Sequence, residues 1–226
     1  MILADTFSWG TFPDAIQFIG DNPHLLWDKS LEHLELAGAA LGIALAIALP
    51  LGVVLGHLHR GSFIAISVSN IGRALPSLVL IAFGILVFGI GFWNNTVALV
   101  VLAVPPILTN SYFAVDQVDA NIVEAARGMG MRGRQILWQV ELPLALPLIF
   151  AGIRIAAVFV IATATIAAIA GGGGLGEIIV DQATYRLAGV VAASLCVSAL
   201  AFAVAFVISA TRKVLTRSFV SAGLAE

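Results

Sequence analysis

Five long apolar runs predict an all-α integral membrane protein with about five transmembrane helices. Of the 226 residues, 60% are hydrophobic and only 11% are charged, whereas soluble domains carry about 25% charged residues. A helix that crosses the hydrocarbon core needs about 20 mostly apolar residues. The runs of this length are Leu36–Leu55, Ser69–Phe88, Thr96–Val115, Leu144–Ile169 and Ala188–Ala210.

The positive charges predict the orientation, because Lys and Arg near span ends concentrate on the cytoplasmic side. We expect an external segment at residues 1–35, a transmembrane domain at residues 36–210 and a tail at residues 211–226. The N-terminus is then outside and the C-terminus cytoplasmic. The eight cations on the predicted cytoplasmic side are Arg60, Arg73, Arg127, Arg132, Arg134, Arg212, Lys213 and Arg217; Lys29 and Arg186 fall on the other side and Arg154 within a span.

The external segment carries apolar residues at roughly helical spacing, with charges between them. This pattern favours an amphipathic helix that lies on the outer interface and leads into the first span, with a flexible tail as the alternative. No Lys or Arg precedes Lys29, so a cleaved signal peptide is not expected. The spaced residues are Leu25, Leu26, Leu31, Leu34 and Leu36.

Small residues and prolines mark the predicted spans. Two Gly-x-x-x-Gly pairs, Gly38 with Gly42 and Gly52 with Gly56, lie in the first run and favour close approach of helix backbones. Five prolines in or beside the runs predict kinks, because each removes a backbone hydrogen bond. We take Pro76 as a candidate residue of the transport pathway. The prolines are Pro50, Pro76, Pro105, Pro106 and Pro147.

A glycine-rich segment follows the fourth run. Gly171, Gly173 and Gly176 match G-x-G-x-x-G, but a dinucleotide site needs a strand before the glycines, and here a long apolar helix precedes them. Four consecutive glycines instead favour a tight non-helical turn near the outer mouth. We expect Gly173, Gly174 and Glu177 to help form an outer gate, with a simple surface turn as the alternative.

The sequence contains no catalytic constellation: no G-x-S-x-G, no H-E-x-x-H, no Cys–His pair and no Walker A lysine. His57 and His59 do not share a helix face, so a metal site there is not expected. We therefore predict no enzyme activity, metal or cofactor on this chain. An ion-coupled secondary transporter is an alternative class of protein. Such transporters usually carry acids within their spans for ion coupling, but no acid lies in the middle of any run here.

The predicted cytoplasmic loop at residues 116–143 is a polar island with a helical pattern. Asp119 is a natural N-cap for a helix that begins at Ala120. Ile122, Ala125, Ala126 and Met129 then follow one helix face. Gly128 or Gly130 ends this helix, and a second short helix is predicted at about Arg134–Val140, before Pro143.

This helical elbow suits docking against a soluble protein. Its alanines allow close approach, Glu124 offers a carboxylate, and Arg127, Arg132 and Arg134 offer guanidinium donors. The alternative is a solvated loop whose cations only set the orientation of the chain.

Arg154 lies about ten residues into the fourth run, where a charge in hydrocarbon costs about 2.5–3.5 kcal/mol on insertion scales. Two interpretations follow. Arg154 faces the interior and the transport pathway, or the helix begins below the hydrocarbon and Arg154 snorkels to the cytoplasmic interface.

The spacing in the loop resembles the EAA loop of type I ABC importer permeases: E-A-A, three residues, G, nine residues, I, one residue, L-P. Here Val140 replaces the Ile. The resemblance implies the type I permease fold and a coupling helix that seats in a cleft of an ATP-binding subunit. The residues it assigns to coupling are Glu124, Ala125, Ala126, Arg127, Gly128, Gly130, Leu142 and Pro143.

The same resemblance implies the partners. They are the ABC ATP-binding subunit, which holds the ATP and Mg, a second permease subunit (identical or related), an extracytoplasmic substrate-binding protein and the bacterial plasma (inner) membrane. No nucleic acid is expected.

Further motifs look like the osmoprotectant branch, which imports glycine betaine, choline or carnitine. Methionine or another amino-acid-like solute is the alternative cargo. Four aromatics, Phe83, Phe88, Phe92 and Trp93, are candidates for contact with a quaternary ammonium, with a lipid-facing role as the alternative. The motifs are Arg73-Ala-Leu-Pro76-Ser77-Leu, Gly89-Ile-Gly-Phe92-Trp93, Pro105-Pro106-Ile-Leu, Gly128-Met-Gly-Met, Ala151-Gly-Ile-Arg154 and Gly172–Leu175-Gly176.

Overall fold

A computed structural model describes residues 10–223, apart from the side chains of Arg73 and residues 217–223. The parts of the predicted external segment and tail at residues 1–9 and 224–226 lie outside the described residues. All regular structure within residues 10–223 is helical. The helices are α1 (Thr11–Asp21), α2 (Pro23–His57), α3 (Ser62–Ala74), α4 (Ser77–Phe88), α5 (Phe92–Asp116), α6 (Ala120–Gly128), α7 (Gly133–Ile136), α8 (Leu142–Ala167), α9 (Leu175–Val180) and α10 (Gln182–Gly223), with a π-turn at Leu137–Glu141 and a 3₁₀ turn at Ala168–Ala170.

Four of the five predicted spans are confirmed as long apolar helices. Within the described residues, four helical stretches are long and apolar enough to cross a membrane, and a fifth is counted if α3 and α4 form one broken span. The four stretches are Pro23–His57, Phe92–Asp116, Gly133–Ala170 and Gln182–Thr216.

The second predicted span, Ser69–Phe88, is not one continuous helix. Leu75 is extended, with φ −79° and ψ 119°, and ends α3, while Pro76 caps α4. A proline disfavours the α conformation of the residue before it and lacks the N–H that would continue the helix. The apolar run therefore contains a break at Leu75–Pro76 that its hydropathy did not reveal.

The N-terminal region contains one helix that the sequence analysis missed. Asn22, with φ −126° and ψ 46°, separates α1 from α2, and Pro23 suits the first turn of the next helix. The ring of Phe18 in α1 lies edge-on to Tyr185, with centroids 6.4 Å apart. The leucine pattern expected to lead into the first span is the first part of α2, which runs into that span without interruption.

The fifth predicted span lies within α10. Arg186 interrupts this helix with φ 55° and ψ −179°, so the regular part begins close to Ala188, where the apolar run predicts it.

The described residues form two compact units, each assembled from three stretches of chain. The first draws on Met1–Ala40, Pro76–Leu99 and Val158–Ala203, and the second on Leu41–Leu75, Val100–Ala157 and Val204–Glu226.

Helix packing in the second unit depends on glycine. A Cβ at Gly52 would lie 2.7 Å from the Leu108 carbonyl oxygen, and a Cβ at Gly56 would lie 2.6 Å from that of Tyr112. Only glycine lets the α2 and α5 backbones approach this closely, so the packing expected at this pair is confirmed.

The other glycine pair of the first run behaves differently. A Cβ at Gly38 or Gly42 would meet nothing within 4 Å among the described residues. The close approach expected at this pair is therefore not found among the residues that the structure describes.

The core of the second unit joins α2, α5 and α8. Its buried residues are small or β-branched, which lets three helices meet closely. They are Val53, Ala114, Val115, Ala145 and Ile149.

Candidate functional site: a capped loop and a glycine turn

The polar loop begins with the N-cap that the sequence predicts. Helix α6 starts at Ala120, and the Asp119 carboxylate accepts a hydrogen bond from the Asn121 backbone N–H at 2.9 Å. This bond satisfies one of the donors left free at a helix start, and caps of this kind stabilise a helix by about 1 kcal/mol. The start of the loop helix is therefore determined locally by Asp119.

Gly130 ends the loop helix in a Schellman motif. Its φ is +82°, its N–H donates to the Arg127 carbonyl at 2.9 Å, and the Met131 N–H donates to the Ala126 carbonyl at 3.2 Å. These bonds pair two carbonyls that the end of the helix leaves free. The prediction of a glycine cap is confirmed at Gly130, while Gly128 is the last helical residue.

One side of α6 packs on the second limb of the loop, which we define as Gly133–Glu141. Val123, Ala126 and Ile136 are nearly completely buried and form a small core. Ala126 was predicted on one face with Ile122, Ala125 and Met129, but the structure buries it together with Val123 against the limb. Val118, Met131 and Val140 pack against this core.

The other side of α6 is exposed. Ile122 is 44% exposed and Met129 is 76% exposed, and Glu124, Ala125 and Arg127 are exposed as well. Ile122, Ala125 and Met129 follow the i, i+3, i+7 spacing of one helix face. The loop thus presents a small apolar stripe beside a carboxylate and a guanidinium.

The second limb is not a separate helix that ends before Pro143, as the sequence analysis expected. It runs through the π-turn at Leu137–Glu141 directly into α8, with the Leu142 N–H bonded to the Leu137 carbonyl. In a regular α-helix the Pro143 ring would clash with the carbonyl four residues earlier. The wider π-turn just before Pro143 lets the helix continue.

His57, whose side chain is 22% exposed, and the buried Glu141 form a pair that no sequence pattern predicted. The Glu141 side chain is 2% exposed and its Oε2 lies 2.5 Å from His57 Nδ1. The carboxylate oxygen accepts this hydrogen bond, so His57 donates from Nδ1. The pair joins the end of α2 to the end of the second limb. The one sequence feature that could have indicated this pair is Glu141 itself, an acid directly before Leu142-Pro143 in a mostly apolar stretch.

His59 makes a similar contact at the surface. Its Nδ1 donates to Asp116 Oδ1 at 3.0 Å, and the two side chains are 51% and 27% exposed. His57 and His59 thus bind two different acids, and no group of three or more His, Cys, Asp or Glu suited to a metal occurs in the part of the chain that the structure describes.

The glycine-rich segment is a turn with left-handed backbone. Gly171, Gly173 and Gly174 have φ values of +68°, +69° and +72°, which glycine adopts at little cost. A Cβ at Gly174 would lie 3.0 Å from the His33 Cα. The expected non-helical turn is confirmed, and its backbone lies directly against α2.

Polar contacts bind this glycine turn to α2. The Gly174 N–H donates to Glu32 Oε2 at 2.9 Å. Lys29 lies between two acids, 2.8 Å from Glu32 and 2.5 Å from Glu177. Glu177, predicted as a gate residue, thereby contacts α2 through Lys29, and the sequence analysis assigned no role to Lys29 or Glu32.

His33 is a buried neighbour of the turn. It is 1% exposed, and its Nε2 donates to the Ile161 carbonyl at 2.9 Å. On the other side of the turn, the Ala170 carbonyl accepts from the Gly91 N–H and the Asn95 amide, each at 3.1 Å. The turn is therefore held at both ends by backbone-directed hydrogen bonds.

Arg154 and Pro76 are the two remaining residues that the sequence predicts for the pathway. Arg154 is exposed on α8, two positions after Gly152, whose missing Cβ would lie 2.5 Å from Asn110 in α5. Two positions apart are on opposite helix faces, so Arg154 points away from that packing. No acid in the described part of the chain forms an ion pair with it. Pro76 lies at the break before α4.

The fold and the loop define a class of protein: a polytopic membrane protein with an exposed, capped helix between two of its spans. Residues 38–219 match the model of the binding-protein-dependent transport system inner membrane component. The chain therefore belongs to this family of ABC importer permeases.

Curated relatives cover most of the chain. The choline transport system permease protein OpuBB of Bacillus subtilis strain 168 is 36% identical over 89% of this chain and 93% of the relative. The carnitine transport permease protein OpuCB of Listeria monocytogenes is 37% identical over 85% and 89%. The osmoprotectant import permease protein OsmW of Salmonella typhimurium is 34% identical over 74% and 80%.

Solved structures agree on the fold. The inward-facing MetNI methionine ABC transporter has a chain 25% identical, with a TM-score of 0.69 over 88% of this chain and 98% of that one. A chain of an amino acid ABC transporter with histidines is 19% identical, with a TM-score of 0.64 over 94% and 99%. The second likeness concerns the fold alone.

Proposed function

We propose that this chain is the permease subunit of an importer for small osmoprotectants such as glycine betaine, choline or carnitine. The support for this substrate class is the set of relatives that transport choline, carnitine and osmoprotectants. Methionine or another amino-acid-like solute is the second candidate, supported by the fold shared with the methionine transporter.

The assembly in this proposal contains three further components. An ATP-binding subunit binds ATP and Mg²⁺ and carries out hydrolysis, a second permease subunit completes the pathway, and an extracytoplasmic binding protein delivers the solute. This chain then needs no cofactor of its own. The predicted orientation, with an external N-terminus and a cytoplasmic loop, belongs to the same proposal.

The observation that carries the coupling role is the geometry of the loop at residues 116–143. Helix α6 is capped at both ends and rests on its own small core, so its exposed face is held in shape without a partner. Preorganised surfaces lose less entropy on binding. Glu124, Ala125 and Arg127 contribute the contact in this proposal, Gly128 and Gly130 shape it, and Leu142 and Pro143 lead from it into α8.

The proposed outer gate is the glycine turn with Gly173, Gly174 and Glu177. Its contacts with Glu32 and Lys29 support a segment whose position depends on α2. Pro76 and Arg154 are proposed pathway residues, supported by the backbone break at the first and the exposure of the second away from α5 packing.

Uptake measurements test the substrate. Cells that express the complete transporter are expected to accumulate labelled choline, glycine betaine or carnitine, and cells that lack this chain are not. Labelled methionine, supplied in the same way, distinguishes the second candidate. Accumulation of methionine alone contradicts the osmoprotectant proposal.

Charge reversal at Glu124 tests the coupling surface. Glu124→Lys is expected to abolish ATP-dependent uptake, because a cation replaces the carboxylate on the exposed face, while membrane insertion stays normal. Gln117→Lys, an exposed residue of the same loop that lies before α6, is the control for added charge. Equal uptake in both variants and the wild type refutes the coupling role.

A further inference from the structure

His57 contacts both ends of the second limb. Its Nδ1 donates to the Glu141 carboxylate at 2.5 Å, and a Cβ at Gly133 would lie 3.6 Å from its Nε2. Gly133 and Glu141 are the first and last residues of the limb. The imidazole at the end of α2 is therefore bonded to the last residue of the limb and lies near its first residue.

Stability alone does not explain this pair of a buried carboxylate and a partly exposed imidazole. A carboxylate that is 2% exposed needs a partner, because removal of one member leaves a buried charge unpaired. Replacement of both members by apolar residues of similar volume is commonly neutral for stability. The hydrogen bond joins the end of α2 to the end of the limb, so the contribution of this pair is geometric.

Contacts around the pair connect α6 to the limb, the limb to α2, and α2 to α5. Helix α6 packs on the limb through Val123, Ala126 and Ile136. The limb meets α2 at His57, and α2 meets α5 through the close approach at Gly52 and Gly56. The other connection from the limb passes through the π-turn into α8, where the backbone is irregular. The pair lies at the end of that turn.

We propose that His57 and Glu141 are positioning residues that hold the coupling loop against α2, so that movement of the loop reaches the first span as well as the fourth. This inference rests on the proposed coupling role of the loop. Without the pair, the loop is joined to the spans by the π-turn, the residues before α6 and the apolar packing of Leu137 on the cluster that contains Val53, and part of its displacement is lost as local bending.

The test removes the pair without leaving a buried charge. In the double variant His57→Leu/Glu141→Leu, the melting temperature and the copurification of the ATP-binding subunit are expected to stay near wild type. Labelled choline taken up per ATP hydrolysed is expected to fall severalfold, because movement of the loop no longer reaches α2 through the pair. His57→Asn, whose amide nitrogen can occupy the position of Nδ1, is expected to keep most of the coupling.

A distance measurement tests the same inference without substrate. Spin labels at Val54→Cys and Gln139→Cys, in a Cys196→Ala chain in nanodiscs, report the separation of α2 and the limb; both native side chains are exposed. We expect one narrow distance distribution in the otherwise native chain and a broad one in the double leucine variant. The matched control, His59→Gln/Asp116→Asn, alters the exposed pair at the same end of α2 and is expected to change nothing.

The outcomes are separable. A double leucine variant with a narrow distribution and wild-type uptake per ATP overturns the inference. A wild-type complex that takes up no choline, glycine betaine, carnitine or methionine with ATP refutes the proposed function instead, and the distance distributions then decide whether the pair positions the loop.

Discussion

Gly130 and Gly174 are both left-handed, but they are glycine for different physical reasons. At Gly130, φ is +82° and a Cβ would meet nothing within 4 Å, so only backbone strain opposes a side chain. At Gly174, φ is +72° and the space is also occupied by the His33 backbone. The first residue ends a helix, and the second allows a turn to lie against α2.

Substitution of Gly130 tests whether its left-handed backbone conformation requires glycine. Gly130→Ala is expected to destabilise the end of α6 by about 1–2 kcal/mol, since a Cβ disfavours left-handed backbone, and to lower ATP-dependent uptake. Gly128→Ala is the control because Gly128 is helical and alanine is favoured over glycine in helices by about 1 kcal/mol. Amide exchange of Gly128–Met131 and uptake assays measure both; equal effects at the two positions contradict the prediction.

Substitution at the turn glycine tests the close approach to α2. Gly174→Ala is expected to cost about 1–2 kcal/mol of backbone strain and about 1–3 kcal/mol more from overpacking against His33. Gly89 has a similar φ of +74° with open space around it, so Gly89→Ala isolates the strain. Thermal unfolding in detergent is expected to show a clearly lower melting temperature for Gly174→Ala. A matching decrease in both variants contradicts the contact.

At the scale of elements, local signals determine where a helix begins and ends, and long-range contacts determine which of its faces is buried. Asp119 and Gly130 determine the ends of α6 through their neighbours in sequence, so both ends were predictable. Which face of α6 is buried depends on Ile136 in the following limb, and the placement of Ala126 on the outer face was wrong for that reason. The limb itself continues into α8 because the π-turn admits Pro143.

The break between α3 and α4 gives a prediction at this scale. Pro76→Ala is expected to let the helix continue through Leu75, because the restriction on the preceding residue is removed. Amide exchange at Ser77 and Leu78 should slow as their N–H groups gain helical partners, and uptake should fall if the break belongs to the pathway. Pro147→Ala, inside the uninterrupted α8, is the control and is expected to leave exchange unchanged there. Unchanged exchange at Ser77 contradicts the role of Pro76.

At the scale of the whole molecule, the charge distribution predicts the side of the membrane on which each end of the chain lies. Cys196 is the only cysteine, so a Cys196→Ala chain provides a clean background for labelling. Met129→Cys is expected to react with a membrane-impermeant thiol reagent only from the cytoplasmic side, and Trp27→Cys only from outside; both native side chains are well exposed. Reaction of Met129→Cys in intact cells contradicts the predicted orientation.

The amino-acid sequence by itself determined the helical class, four of the spans, the caps of α6 and the family resemblance, because each depends on residues close together in the chain. Hydropathy and capping act within one or two helical turns, and a spacing motif needs no folding to be recognised. The predicted glycine turn belongs here as well, since consecutive glycines favour left-handed backbone on their own.

Only the tertiary structure decided which distant residues meet. The pairs His57 with Glu141, and Glu32 with the Gly174 N–H, join residues 84 and 142 positions apart. A single buried acid or a mid-helix lysine carries no local signature of its partner, because burial and pairing arise only when helices pack. The contacts that hold the loop and the turn to α2 therefore depend on the fold, while the loop and the turn themselves follow from sequence.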